Sequence, residues 1–451
     1  MGGTPPNMPA ASFRFLSIAL PLSKRLTIMQ RHLCTVAFVM VAAGLTGCSP
    51  AQSPTSASPY MILANGSWPM YQYSPSHNAV FAEPNVNAQW VTKIGGRING
   101  GLAVAGRTVY VDSFDQHLYA LDIDTGRIRW KAQTGNLAMS SPVVAHDIVI
   151  VGSGRDGFLA SDDSAQIWGQ PAGDNIIAFD TRSGRRLWSF HTIGGDMASP
   201  GIDGRQVAFA NGDLHGYSLD LYSGRQIWKR RLAGIDTMAS ATIADGLAFI
   251  GICHNMPHFR ETVAIRIRDG RVVWSNPNGS CDASPAVDNG IVFVDGNDEE
   301  VKTPYEQGGI DVIAAIDEVR GRTLWKHTSP PGPYTLVGSG EHAIAATAVS
   351  GVLYQSIVNA DAVVAFDELT GKPLWRVSTA GPVKMSPIVT LGRVVFGDTA
   401  GVLYSVERAS GDVLHTQSFR NPFSTSPPVI LGQTLLVTNG DSVLALPWNA
   451  P

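Results

Sequence analysis

A chain of 451 residues, 44% hydrophobic and 16% charged, can bury a large core, and its 47 glycines point to a turn-rich globule. The formal net charge of −4 offers no basic surface, which removes nucleic acid from the partners to consider. Beyond one apolar run near the N-terminus, no segment is long enough to cross a membrane as a helix.

Residues 1–47 read as a leader and secretory signal. Arg31 and His32 precede the apolar run Leu33 to Ala43, which is too short to anchor permanently. Translation from Met29 would give a signal of ordinary length. The run ends in Leu45-Thr46-Gly47-Cys48, which resembles a bacterial lipobox. That resemblance implies cleavage before Cys48, lipidation of its thiol and, with Ser49 next, residence at the inner leaflet of an outer membrane. Residues 48–65 follow as a tether, since the Ser, Pro, Ala, Gln and Thr of Ser49 to Ser58 cannot build a core.

Residues 66–451 are organised by a repeat. Thr108 to Ser113 and Leu118 to Asp122 are β-branched and aromatic runs separated by a polar turn. Asp122 to Gly126 then turns the chain again, and a further strand carries Trp130. The Gly/Trp pair returns as Gly184/Trp188, Gly224/Trp228, Gly270/Trp274, Gly321/Trp325 and Gly371/Trp375, and as Gly411/His415. His415 is expected to pack against a blade as the tryptophans do. Short strands opened by Ser141-Pro142, Ser199-Pro200, Ser284-Pro285, Ser386-Pro387 and Ser426-Pro427 complete each unit at four antiparallel strands.

A unit of about 40 residues cannot bury its faces alone, so neighbours must stack, and a β-propeller is the radial solution. Seven of the ten tryptophans (Trp90, Trp130, Trp188, Trp228, Trp274, Trp325 and Trp375) occupy the repeat position, which assigns them to packing between blades. The segment Ala88 to Ile94 supplies a fourth strand without three before it, while Ser424 to Pro447 supplies three strands and stops. Joined, they complete an eighth blade and close the ring.

The repeat, apolar-apolar-Asp-x-x-Thr/Ser-Gly-Arg/Lys-x-x-Trp, resembles the pyrroloquinoline-quinone-like (PQQ-like) repeat of quinoprotein dehydrogenases and of BamB, the lipoprotein scaffold of outer-membrane protein assembly. The resemblance runs from about Trp68 to the C-terminus. It implies an all-β, eight-bladed propeller, monomeric, with one of two functions. The first is a noncatalytic periplasmic scaffold, lipid-anchored through Cys48, that binds another periplasmic or outer-membrane protein and needs no cofactor. The second is an alcohol or sugar dehydrogenase using PQQ and calcium. Neither the adjacent cysteines of many such dehydrogenases nor a Cys-x-x-Cys-His haem attachment occurs in the chain.

With Cys34 leaving in the signal and Cys48 acylated, Cys253 and Cys281 remain for one disulfide in an oxidising compartment. The loops joining second to third strands vary most. They run from Ser153 to Asn175 in blade 2, Cys253 to Glu261 in blade 4 and Asp295 to Gly309 in blade 5, all on the face that carries the connectors between blades. Phe158, Trp168 and Tyr305 on these loops are candidate partner anchors. His254 and His258 beside Cys253 offer ligands for copper or zinc, which would make a third reading, metal handling. Asp295 and Asp298, with Glu299 and Glu300, offer oxygens for calcium, against the simpler reading of a solvated acidic loop.

Overall fold

The computed structural model describes residues 87–448 apart from 137–139, 155–174, 196–197, 237, 255–258, 281, 299–309 and 330–344. The expected leader, the expected lipidation site Cys48 and the expected tether lie outside the described residues. Within them the strands form eight four-stranded antiparallel sheets, the blades of a propeller. Seven sheets run in chain order from the inner strand outwards. The eighth takes Val429–Leu431, Thr434–Asn439 and Ser442–Pro447 from the C-terminus and Trp90–Lys93 from the other end. Trp90 pairs with Ala445 and Val91 with Leu444, which is the predicted closure. Among the described residues no helix is long and apolar enough to cross a membrane.

The repeat residues have a common job. In blade 1, Asp122 accepts hydrogen bonds from the backbone N–H (3.0 Å) and hydroxyl (2.8 Å) of Thr125, fixing the turn into the outer strand. Asp180 with Ser183, Asp220 with Ser223 and Asp367 with Thr370 repeat it. The turn ends on a glycine at positive φ, +67° at Gly321, and the indole of the preceding blade lies flat on it. A Cβ at Gly321 would sit 2.5 Å from the ring of Trp274, so the close approach and the backbone both demand glycine.

Each indole also donates its Nε1–H to a carbonyl of the next blade. Trp90 reaches Ile123 (2.8 Å), Trp130 Thr181 (3.0 Å), Trp188 Leu221 (2.9 Å) and Trp228 Ile267 (2.6 Å). Trp274 reaches Glu318 (2.8 Å), Trp325 Glu368 (2.7 Å) and Trp375 Arg408 (3.0 Å). His415 departs from expectation, because its side chain is exposed. The next blade is the composite one, whose third strand stops at Pro447 while its fourth comes from Trp90. With no continuous turn between them, the repeat glycine on which the other indoles lie has no counterpart there among the described residues.

Nearer the axis the strand-opening serines link blade to blade. The N–H of Gly101 donates to Ser141 Oγ (2.7 Å), Ser141 to Ser199 (2.8 Å), Ser199 to Ser240 (3.1 Å) and Ser240 to Ser284 (2.8 Å). These hydroxyls are buried and structural, as their place in the repeat predicts.

Candidate functional site

The connector face departs from the sequence reading in blades 4 and 5, where the second strands run on into what was expected to be loop. Leu247–His254 pairs with Phe259–Arg266 down to His254 and Phe259, and Ile291–Asp298 pairs with Ile310–Asp317 down to Asp298 and Ile310. Asp-Gly-Asn-Asp is a poor strand sequence by itself. It is carried into the ladder by the apolar, β-branched partner Ile310-Asp311-Val312-Ile313, an instance of tertiary context overriding local preference.

That extension changes what Asp295 is. Instead of a solvated loop acid it is a buried strand residue whose Oδ2 accepts a hydrogen bond from Gln355 Nε2 of blade 6 at 3.0 Å. On the neighbouring strand Asp311, 1% exposed, crosses the same seam. It accepts from the backbone N–H (3.1 Å) and Nδ2 (2.9 Å) of Asn359, while its own N–H donates to Ser329 Oγ at 3.0 Å. Asn359 is presented by the 3-10 turn Val358–Ala360, which joins the second and third strands of blade 6. Two carboxyl groups are thus matched to two neutral carboxamides.

Electrostatics follow from that pairing. Burial, with no cationic partner among the described residues, pushes the Asp311 carboxyl up to about 7, although the Asn359 bonds pull it the other way. Asp361, just past the same turn, is raised by burial and then by Asp398. Across the ring Asp112 is raised well above the carboxylate range by burial, against the pull of the Ser140 hydroxyl, which donates to it at 3.2 Å. A carboxyl that exchanges its proton near neutrality can act as general acid or base.

Of the other residues singled out in the sequence, Phe158, Trp168, Tyr305, His258 and Cys281 lie outside the described residues. His254 and Asp298 close their strands opposite Phe259 and Ile310. Cys253 exchanges both backbone hydrogen bonds with Ile235, at 2.9 Å each, so it belongs to a ladder and not to a loop. Among the described residues no three His, Cys, Asp or Glu side chains gather as metal ligands. Asp311, Gln355 and Asn359 were missed, although an acid inside the apolar run Ile310 to Ile316 was a signal that could have found the first.

A quinone and its calcium need an indole floor and a set of convergent oxygens. Here the seven repeat indoles are committed to bonds between blades, and Trp448 lies beneath the Arg393 guanidinium. The seam amides turn nitrogen, not oxygen, towards the carboxyls. The described residues do not assemble that site, and no step is derived through it.

A sequence model described as outer membrane protein assembly factor BamB matches residues 79–303, 237–356 and 309–447, the whole of the propeller. The chain belongs to this PQQ-like propeller family. Within and around the family, tetrathionate hydrolase of Acidithiobacillus ferrooxidans is 26% identical over 445 residues, covering 84% of this chain and 85% of that protein. BamB of Yersinia pestis is 21% identical over 355 residues, covering 75% and 69%. Among solved structures, a europium-containing methanol dehydrogenase superposes with a TM-score of 0.60 at 14% identity, over 83% of this chain and 90% of that one, a likeness of fold alone. PQQ-like propellers therefore include proteins named for hydrolysis, for oxidation and for assembly, and the site must decide among them.

Proposed function

We propose that the chain is an exported propeller, lipid-anchored through Cys48 on the periplasmic side of an outer membrane, that hydrolyses a sulfur-chain anion of the tetrathionate class on its connector face. The observation that carries this reading is Asp311, a buried carboxyl raised to about 7 by its burial, held by Asn359 and without a cationic partner among the described residues. The substrate class comes from the propeller-wide likeness to tetrathionate hydrolase. Water attacks one sulfur of a sulfur–sulfur bond, and the departing sulfur keeps the electron pair. Asp311 as carboxylate takes the proton of that water, and Asn359 holds the carboxyl in register.

The scaffold reading is supported by the family match and by the likeness to BamB. Its binding surface would be the loops bearing Phe158, Trp168 and Tyr305, and its partner another periplasmic or outer-membrane protein. Incubating the purified chain with tetrathionate and following the anions by ion chromatography separates the two. Loss of tetrathionate with release of thiosulfate is the expected result. An inert protein that captures outer-membrane assembly proteins would replace hydrolysis with scaffolding. Dye-coupled oxidation of alcohols after addition of PQQ and calcium would replace it with the dehydrogenase reading.

Export also bears on the cysteines. The Ser280 carbonyl lies so close to Gly251 that a Cβ there would meet it at 1.7 Å, which brings the chain preceding Cys281 against the strand that holds Cys253. A Cys253–Cys281 bond would stabilise by roughly 3–4 kcal/mol. Mass spectrometry of unreduced peptides is expected to find the two joined. Two free thiols would contradict both the bond and the oxidising compartment.

A further inference from the structure

The strand order puts two hairpins of each blade on the face opposite the connectors, one between the first and second strands and one between the third and fourth. The tip of the second hairpin lies two residues past the position of the repeat acid. In blades 1, 2 and 4 this tip carries a charge, as Asp124, Arg182 and Arg268, all exposed. In blade 3 it is Tyr222, whose ring lies beneath the Arg205 guanidinium. In blades 5 and 6 it is aliphatic instead, and Val319 and Leu369 are each 73% exposed. In blade 7 the first hairpin carries Leu391, which is 90% exposed. Among the described residues these are the three most exposed large hydrophobic side chains, and they fall on consecutive blades of one face. Single exposed apolar residues are ordinary on any surface, so it is the clustering that asks for a cause.

The next most exposed, Val91 at 67%, extends the arc to blade 8. It is the second residue of the closing strand, which enters the ring from this same face. The Ala88 N–H donates to Thr434 Oγ1 at 2.7 Å, just past the first hairpin of that blade, and the strand then runs to Lys93 opposite Ser442. The expected tether, residues 48–65, thus leads to the apolar arc. Arg322 and Lys372, each three residues past an aliphatic tip, are exposed as well. Aliphatic tips flanked by long cationic side chains suit the boundary of a bilayer, where the first enter the acyl region and the second meet the headgroups.

We propose that the hairpin face of blades 5 to 8 rests on the surface of an anionic phospholipid bilayer, with Val319, Leu369 and Leu391 entering its interface. This rests on the lipid-anchored reading and adds an orientation to it, since the connector face with Asp311 then points away from the membrane. The tips stand on separate hairpins, and such isolated points suit a soft interface better than the packed core of a protein contact. Anchor and surface act together, because a tether at this end raises the local concentration of bilayer before the tips.

The mature chain, with an N-terminal hexahistidine tag in place of the lipid, is held on vesicles of phosphatidylcholine, phosphatidylglycerol and a nickel-chelating lipid. The surface is then tested whether or not Cys48 is acylated in the cell, and mass spectrometry of the native Cys48 peptide tests the anchor separately. An environment-sensitive dye is attached to the introduced thiol of L369C or of A400C, with the unsubstituted chain as the labelling blank. Ala400 is exposed in the turn between the second and third strands of blade 7, on the connector face. On capture, the label at 369 is expected to shift to the blue with a severalfold rise in emission that brominated acyl chains quench, while the label at 400 is unchanged. Adding V319D and L391D is expected to return the 369 label to its aqueous spectrum, and replacing phosphatidylglycerol with phosphatidylcholine to weaken the response. A label at 369 that stays aqueous on captured protein, or responds equally with both aspartates present, would overturn the proposal and leave the tips to a protein partner.

Discussion

Trp274→Ala is expected to lower the stability of the propeller by roughly 3–5 kcal/mol, the range for removing a large buried aromatic side chain. Three losses act together. The indole leaves the face of Gly321, whose positive-φ turn was shaped to receive it. The Glu318 carbonyl loses a 2.8 Å hydrogen bond. Phe249, whose ring lies 5.6 Å from the indole, loses a neighbour in the core. His415→Ala, at the same repeat position but exposed, is expected to change stability by no more than about 0.5 kcal/mol. Denaturant midpoints of the two variants test the docking account. Equal effects would mean that the indoles do not lock the blades.

Asp311→Asn is expected to make the protein more stable at pH 8 and to flatten its dependence on pH. The sign follows from linkage. The carboxyl titrates at an ordinary acidic pKa in the unfolded chain and near 7 in the folded protein, so the folded state holds the extra proton between those values. Stability is therefore fully present below the unfolded pKa and is lost as pH rises through 7. The loss attributable to this group is roughly 2–4 kcal/mol, and the amide, which has no charge to bury, avoids it. Asp112 and Asp361, raised by the same burial, leave a residual slope of the same sign. Unfolding of both proteins at pH 5, 6, 7 and 8 checks this, and parallel curves would place the Asp311 pKa in the ordinary range.

The parts of the fold that were legible in the sequence are those written locally. Asp122, Thr125, Gly126 and Trp130 build one turn and one docking contact within nine residues, and the pattern recurs often enough to count blades. The closing pair Val91 and Leu444 could be inferred because an orphan strand needs a partner. The candidate site was less legible because its partners come from different blades. Nothing near Asp311 in the sequence announces Asn359, and Asp295 read as a solvated acid until its strand proved to continue past Cα pairings with Ile313 and Val312 of the neighbouring strand. His415 was misplaced for a related reason, since the missing turn belongs to a blade assembled from both ends of the chain.

The measurement that most directly tests the account is the pH dependence of tetrathionate hydrolysis by the wild-type chain and by D311N. The account predicts a limb near pH 7 in the wild type, and in D311N a rate lower by roughly 10²–10⁴-fold with that limb gone. A D311N protein that hydrolyses at the wild-type rate with the same profile would contradict it.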